Sequence, residues 1–198
     1  GSAMAETNIA ARLLDVIEYD VLPLTATGVA TGNKVFGAAI LAKADLELVI
    51  AGTNDETSNP LWHGEVHTLK QFYELPSPPR TSELIFLSTH EPCTMCMSAI
   101  TWAGFDNYYY FFSHEDSRDA FAIPHDLKIL KELYGLEPGG YRRANAFWTA
   151  HSIPALVDAE PEPRRAELRA QERRIRDRYD ALSSRYQDSK GDNDIPLS

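Results

Sequence analysis

His63-Gly64-Glu65 and Pro92-Cys93-Thr94-Met95-Cys96 are the two short stretches on which the reading of this 198-residue chain turns. Each sits where a loop hands over to a helix: residues 63–75, stopped by Pro76, Pro78 and Pro79, and the apolar run 93–103. Helix N-termini present unpaired N–H groups and the positive end of the helix dipole, which lowers thiol pKa values and favours thiolate ligands. Two such termini side by side offer one imidazole nitrogen and two sulfurs to a tetrahedral zinc ion, with a fourth position left for water. Cys93 and Cys96 are the only cysteines. Their spacing therefore indicates metal or redox chemistry and not a disulfide framework.

Outward from these motifs the pattern alternates. Ile9, Leu13, Leu14 and Ile17 fall at helical spacing, so residues 7–19 read as an amphipathic helix closed by Pro23. Residues 35–42 and 46–51 read as a hairpin, and 55–60 as a polar loop. Strands follow at 84–87 and 108–112, and a short helix at 127–134. Strands interleaved with helices predict an α/β fold, a three-layer α/β/α sandwich around a central mixed sheet with an added C-terminal helix. The organisation expected is a zinc deaminase domain over 4–157, a Pro-rich break and charged helix over 158–190, and a disordered tail over 191–198. Gly1-Ser2-Ala3 before Met4 reads as an expression scar.

Composition narrows the function classes. No secretory leader follows Met4 and no apolar run approaches the ~20 residues of a membrane span, so the expected address is cytoplasmic, with no membrane partner. Net charge is −10. Residues 1–163 carry 10 Lys+Arg against 22 Asp+Glu, whereas residues 164–198 carry 9 against 7. An acidic body disfavours a nucleic-acid partner, because phosphate backbones are bound by clustered positive charge. Lys34, Lys70 and Arg80 are scattered, and the acids of the tail offset its arginines. The C-terminal helix reads as packed on its own body or on a partner subunit.

A Cys-x-x-Cys pair alone fits a thioredoxin-type redox site, but that leaves His63-Gly64-Glu65 without a role. A closed structural zinc site needs a fourth ligand, for which His67 or His90 would have to serve. A zinc-protease motif needs Glu directly after the first His, where Gly64 stands. His-x-Glu followed by Pro-Cys-x-x-Cys is instead the signature of zinc deaminases. With it the chain resembles the cytidine deaminase-like superfamily over about residues 7–135, and in particular fungal-type cytosine deaminases and bacterial guanine deaminases. His63-Gly64-Glu65 is similar to the cytosine deaminase helix start. Glu91-Pro92-Cys93-Thr94-Met95-Cys96 with Ile100-Thr101-Trp102-Ala103 is similar to the guanine deaminase stretch, and Phe36-Gly37-Ala38-Ala39 to the pocket strand of both.

The expected activity is zinc-dependent hydrolytic deamination of a small amino-substituted heterocycle, a free nucleobase or nucleoside of cytosine or guanine type, with release of ammonia. Zn2+ is held by His63, Cys93 and Cys96. Glu65 takes the water proton, and it then protonates the ring nitrogen and the leaving ammonia. Backbone N–H groups at Gly64 or Cys93 hold developing charge on oxygen. The resemblance further implies substrate contacts from Phe36, from Asn54 at the end of the second strand, and from Asp126 downstream of the aromatic strand. His90 is open between substrate contact and loop packing. Trp102 reads as core, and His114, His125 and His151 as structural or surface residues. The resemblance also implies a homodimer. Two other functions stay in view: a tRNA wobble-adenosine deaminase, which shares the metal signature, and a non-catalytic zinc-containing binding module.

Overall fold

The structure is a computed structural model describing residues 8–198. Gly1-Ser2-Ala3 and residues 4–7 lie outside the described residues. Five strands form one sheet: β1 (Gly37–Ala42), β2 (Leu48–Thr53), β3 (Leu84–His90), β4 (Asn107–Phe112) and β5 (Thr149–Ser152), in the order β2-β1-β3-β4-β5. β1 is antiparallel to β2 and β3, while β3, β4 and β5 are parallel, so the sheet is mixed.

Alternation along these strands sets the layers. Ala38, Ile40, Phe86, Tyr108 and Tyr110 turn to one face, where they pack with Leu69, Phe72, Met97 and Ile100. Those partners belong to α3 (Gly64–Tyr73) and α4 (Thr94–Trp102). Ala39, Leu41, Ile85, Leu87 and Phe111 turn to the other face, against Leu13, Leu14, Ile17 and Val21. That layer is built from α1 (Ile9–Asp15), α2 (Leu22–Ala30), α7 (Ile153–Asp158) and α8 (Arg164–Ser189). With both faces covered, the three-layer sandwich expected from the sequence forms. Two short helices, α5 (His114–Asp119) and α6 (His125–Tyr134), follow β4.

Register places the two motifs at one end of the sheet. Thr53 at the end of β2 pairs with Gly37 at the start of β1, Ala38 pairs with Ser88 near the end of β3, and His90 pairs with Phe112. The chain leaves β2 and β3 at this end and turns directly into α3 and α4, whose N-termini therefore converge there.

Three expectations need correction. Pro23 does not close the first helix. The chain continues through a π-helical turn at Val16–Val21 into α2, and Pro23 lies in the first turn of α2, directly after the π-turn. Trp102 is not core but 89% exposed at the C-terminal end of α4. The charged helix α8 takes the first of its two expected placements: Leu168, Ile175, Tyr179, Leu182 and Tyr186 are buried on its own body, and Arg174 and Gln171 bind Glu18 and Asp15 of the first helical segment. Buried side chains of this size contribute about 1.5–3 kcal/mol each, whereas an exposed pair such as Arg174–Glu18 contributes at most about 1 kcal/mol, so the apolar stripe anchors the helix. Residues 191–198, expected to be disordered, fold back. Ile195 is buried, Tyr186 Oη donates to the Ser198 carbonyl at 3.0 Å, and Lys34 Nζ donates to the Leu197 carbonyl.

Candidate metal centre and active site

His63 occupies the N-cap position of α3 and Cys93 that of α4. Gly64 is required between His63 and Glu65, because a Cβ there would meet the Phe36 carbonyl oxygen at 2.6 Å and Gly37 Cα at 2.9 Å. This close approach seats the start of α3 on β1. Cys93 Sγ accepts the Cys96 backbone N–H at 3.5 Å. The donor atoms of His63, Cys93 and Cys96 lie within 4.8 Å of one another, and His63 Nδ1 is 3.5 Å from Cys93 Sγ. Nitrogen and sulfur ligands on a tetrahedral zinc, at ordinary bond lengths, stand ~3.6 Å apart, so this pair has the spacing of two zinc ligands.

No fourth His, Cys, Asp or Glu joins the group among the described residues. His67, four residues along α3, turns its Nδ1 to the Thr53 carbonyl at 2.9 Å. The set is three-donor and open, as in catalytic sites and unlike closed structural ones.

Electrostatics fit a cation. A hydrogen bond from Cys96, together with the bond and charge of His63, holds the Cys93 thiol well below its ordinary range against the opposing effect of burial. Burial and the adjacent Cys93 thiolate push Cys96 up. Burial opposes charge on His63, but Cys93, Glu56 and Glu65 outweigh it and raise its pKa to about 9. Burial, with the Cys93 charge, raises Glu65 to about 7.

A cavity of about 290 Å³ opens onto this group. Its walls include Phe36, Glu65, His90, Met95, Ile123, Asp126 and Ile129. Phe36, His90 and Asp126 thus share one cavity with His63, Glu65 and Cys93. Asp126 sits in the first turn of α6, and burial raises its pKa to about 6. Asn54 does not line the cavity. It is buried, with its Nδ2 donating to Glu56 Oε1 at 2.7 Å and its Oδ1 accepting from the Glu56 N–H at 3.1 Å.

Several wall residues escaped sequence reasoning. Lys34, read as a scattered surface charge, is 4% exposed and pairs with Glu56 at 3.2 Å. His125 lines the cavity and is not a remote structural residue, and Pro196 and Leu197 reach it from the C-terminus. Adjacency to Asp126 was the only available signal for His125. Glu91, buried beside the metal loop, accepts from Arg143 Nη2 and the His114 N–H, each at 2.9 Å, and from the Tyr141 hydroxyl. The segment after Leu136, which matched nothing in the sequence, thus pins the loop that presents Cys93.

His90 lines the cavity and is also tightly packed. Phe36, Phe112, Phe121 and Tyr179 surround its ring, Thr89 Oγ1 lies 2.8 Å from Nδ1, and Nε2 has no hydrogen-bond partner among the described residues. Burial depresses its pKa from 6.5 to about 3. Below pH 6.5 the unfolded chain takes up this proton while the folded protein does not, so stability present above 6.5 is lost progressively as pH falls towards 3. Compared with His90→Phe, which suits the aromatic box, the wild type should lose about 2 kcal/mol more stability between pH 7 and pH 5. Urea unfolding at both pH values measures this, and equal pH dependence in the two proteins excludes a neutral buried imidazole.

Comparison with known proteins agrees with the geometry. Residues 21–112 match the model of the family described as cytidine and deoxycytidylate deaminase zinc-binding region. The matched stretch is less than half of the chain and takes in His63, Glu65, Cys93 and Cys96. The chain is 30% identical over 87 residues to a guanine deaminase from Bacillus subtilis (strain 168), covering 43% of this chain and 54% of that protein. It therefore spans about half the length of the curated relative it matches. Among solved structures, a guanine deaminase from Bacillus subtilis is 27% identical, covering 65% of this chain and 78% of that one, with a TM-score of 0.52. A guanine deaminase from Nitrosomonas europaea, 21% identical with a TM-score of 0.52 over 84% of this chain and 86% of that one, shares the fold. No described helix is long and apolar enough to cross a membrane.

Proposed function

We propose that the protein is a zinc-dependent hydrolytic deaminase of a small amino-substituted heterocycle, a free nucleobase or nucleoside of guanine or cytosine type. The observation that carries this reading is the open His63, Cys93, Cys96 group, of which His63 and Cys93 line a cavity together with buried Glu65. The likeness to guanine deaminases favours an aminopurine. In this reading residues 4–157 form the catalytic body, α8 braces it, and the enzyme is a cytoplasmic homodimer.

His63, Cys93 and Cys96 would hold the metal, which when bound supplies a Lewis acid able to bring the pKa of a water towards ~7. The chain's own residues carry the rest. Glu65 accepts one proton from the attacking water and passes it to the ring nitrogen, then carries the second, from the newly formed C–O–H, to the departing amine. One C–N bond is exchanged for a C=O bond, water is consumed, and ammonia leaves. The cavity's apolar walls exclude bulk water and strengthen these charges. Asp126, with its raised pKa, faces the same space and offers a hydrogen-bond partner to a ring N–H or amino group.

Cavity size argues for a small substrate, since about 290 Å³ lies at the low end for ligand pockets. The expected result is ammonia release from at least one free base or nucleoside in a panel that includes pterins and triazines, at low and at physiological salt. Light scattering on the same preparation should give two chains per particle. Strong adenosine-to-inosine conversion in tRNA with no activity on any small heterocycle would overturn the reading.

A further inference from the structure

A buried ion pair stands behind the metal-facing histidine without a role in the reaction just described. Glu56 and Lys34 are each 4% exposed, and they meet at 3.2 Å beside the cavity. Taking such a pair out of water is costly, and apolar residues of similar volume often serve stability as well or better, so stability alone does not account for it. The surroundings of Glu56 show what it faces. Lys34 Nζ binds Oε2, Asn54 Nδ2 donates to Oε1 at 2.7 Å, and Asn54 Oδ1 accepts the Glu56 N–H, so the carboxylate is fixed in direction. His63 Nε2 lies 3.7 Å from that same Oε1, while His63 Nδ1 lies 3.5 Å from Cys93 Sγ. The two ring nitrogens thus face two different partners. A neutral imidazole that gives Nδ1 to a metal carries its proton on Nε2, and that N–H needs an acceptor to fix tautomer and ring plane.

We propose that Glu56 is a positioning residue for the metal centre: it receives the Nε2 proton of His63, with Asn54 and Lys34 holding the carboxylate in place. This rests on the metal reading above. Asn54 then acts two steps from the substrate, consistent with its absence from the cavity wall. The loop at residues 54–63 ties the end of β2 to the ligand it delivers.

The test uses zinc-loaded protein. Glu56→Gln keeps the size but removes the charge and leaves one acceptor oxygen where the carboxylate has two, so Asn54, Lys34 and His63 can no longer all be served, and it should lower zinc affinity 10–100-fold in competition with a chromophoric chelator, with an unchanged circular dichroism spectrum. The double variant Lys34→Met/Glu56→Gln removes both charges and should show the same loss. Wild-type affinity in either folded variant overturns the proposal, because it assigns the effect to nothing or to an unpaired Lys34. A third measurement does not depend on variants folding. In wild-type protein labelled with 15N-histidine, His63 should be ligated through Nδ1, with an Nε2 proton protected from exchange. Ligation through Nε2, or an unprotected Nε2 proton, also overturns it. Wild-type protein that takes up no zinc refutes the metal reading itself, whereas zinc held equally by wild type and Glu56→Gln refutes this proposal alone.

Discussion

Wild-type protein is expected to carry one zinc per chain by elemental analysis, and Cys93→Ala and Cys96→Ala to carry none after dialysis. The protein offers three donor atoms within 4.8 Å, with no fourth ligand among the described residues to compensate for a loss. Four-ligand zinc sites bind with about 10–16 kcal/mol, so one ligand's share is on the order of 3–4 kcal/mol, a several-hundred-fold loss of affinity or more. The missing thiolate also removes charge: Cys93 is the group that the Cys96 and His63 contacts hold ionised. Both cysteines are buried but small, so alanine leaves only a minor void, and the fold should survive the change. Circular dichroism on each variant confirms that point. Stoichiometric zinc remaining in both folded variants would place the metal elsewhere.

The site's floor was legible in the sequence because its chemistry is local. An N-cap histidine or cysteine, a glycine that lets the backbone approach β1, and a glutamate one step further on all declare themselves within a few residues. The sheet was legible too, since 35–42, 84–87 and 108–112 are apolar runs of strand length. Their true limits differ by only a few residues, with β3 running on to His90. β5 and α7 escaped notice because four residues and six residues carry too little periodicity to read.

What stayed hidden depends on long-range contact. Lys34 was read only as a scattered charge and Glu56 only as part of a polar loop, because charged residues rarely bury unless paired, and the pairing spans 22 positions. The apolar stripe of α8 is five residues diluted among eight arginines, so its charge masked the 7-4-3-4 spacing that packs it on the core. Trp102 failed in the opposite sense: apolar character made it look like core, but its position at the end of α4 turns it to solvent. Residues 191–198 are polar enough to read as disordered, and only Ile195 and the carbonyls of Leu197 and Ser198 tie them down. Asn54 shows the limit of resemblance. The residue type was noticed, but its side chain is spent on Glu56.

Glu65→Gln should keep zinc at one per chain and lose at least ~10²-fold in kcat, within the 10²–10⁴ range of a positioned proton carrier. The amide has the shape of the acid and the same place in the first turn of α3, so the packing that leaves Glu65 4% exposed is preserved. It cannot accept a proton from water or return one to a ring nitrogen. The side chain's environment suits both tasks, because burial and the nearby Cys93 charge raise the carboxyl to about 7, where it is half ionised at neutral pH. An ordinary glutamate near 4.3 would be a poorer donor by more than two pKa units. Glu65 lies two residues beyond His63 yet stands outside the three-donor group, so chemistry and metal retention should separate cleanly in this variant. Two measurements decide it: zinc content of the purified variant, and ammonia release under saturating substrate. Loss of zinc would make Glu65 a ligand, and retained turnover would pass the proton to another group in the cavity, of which Asp126 is the first to test.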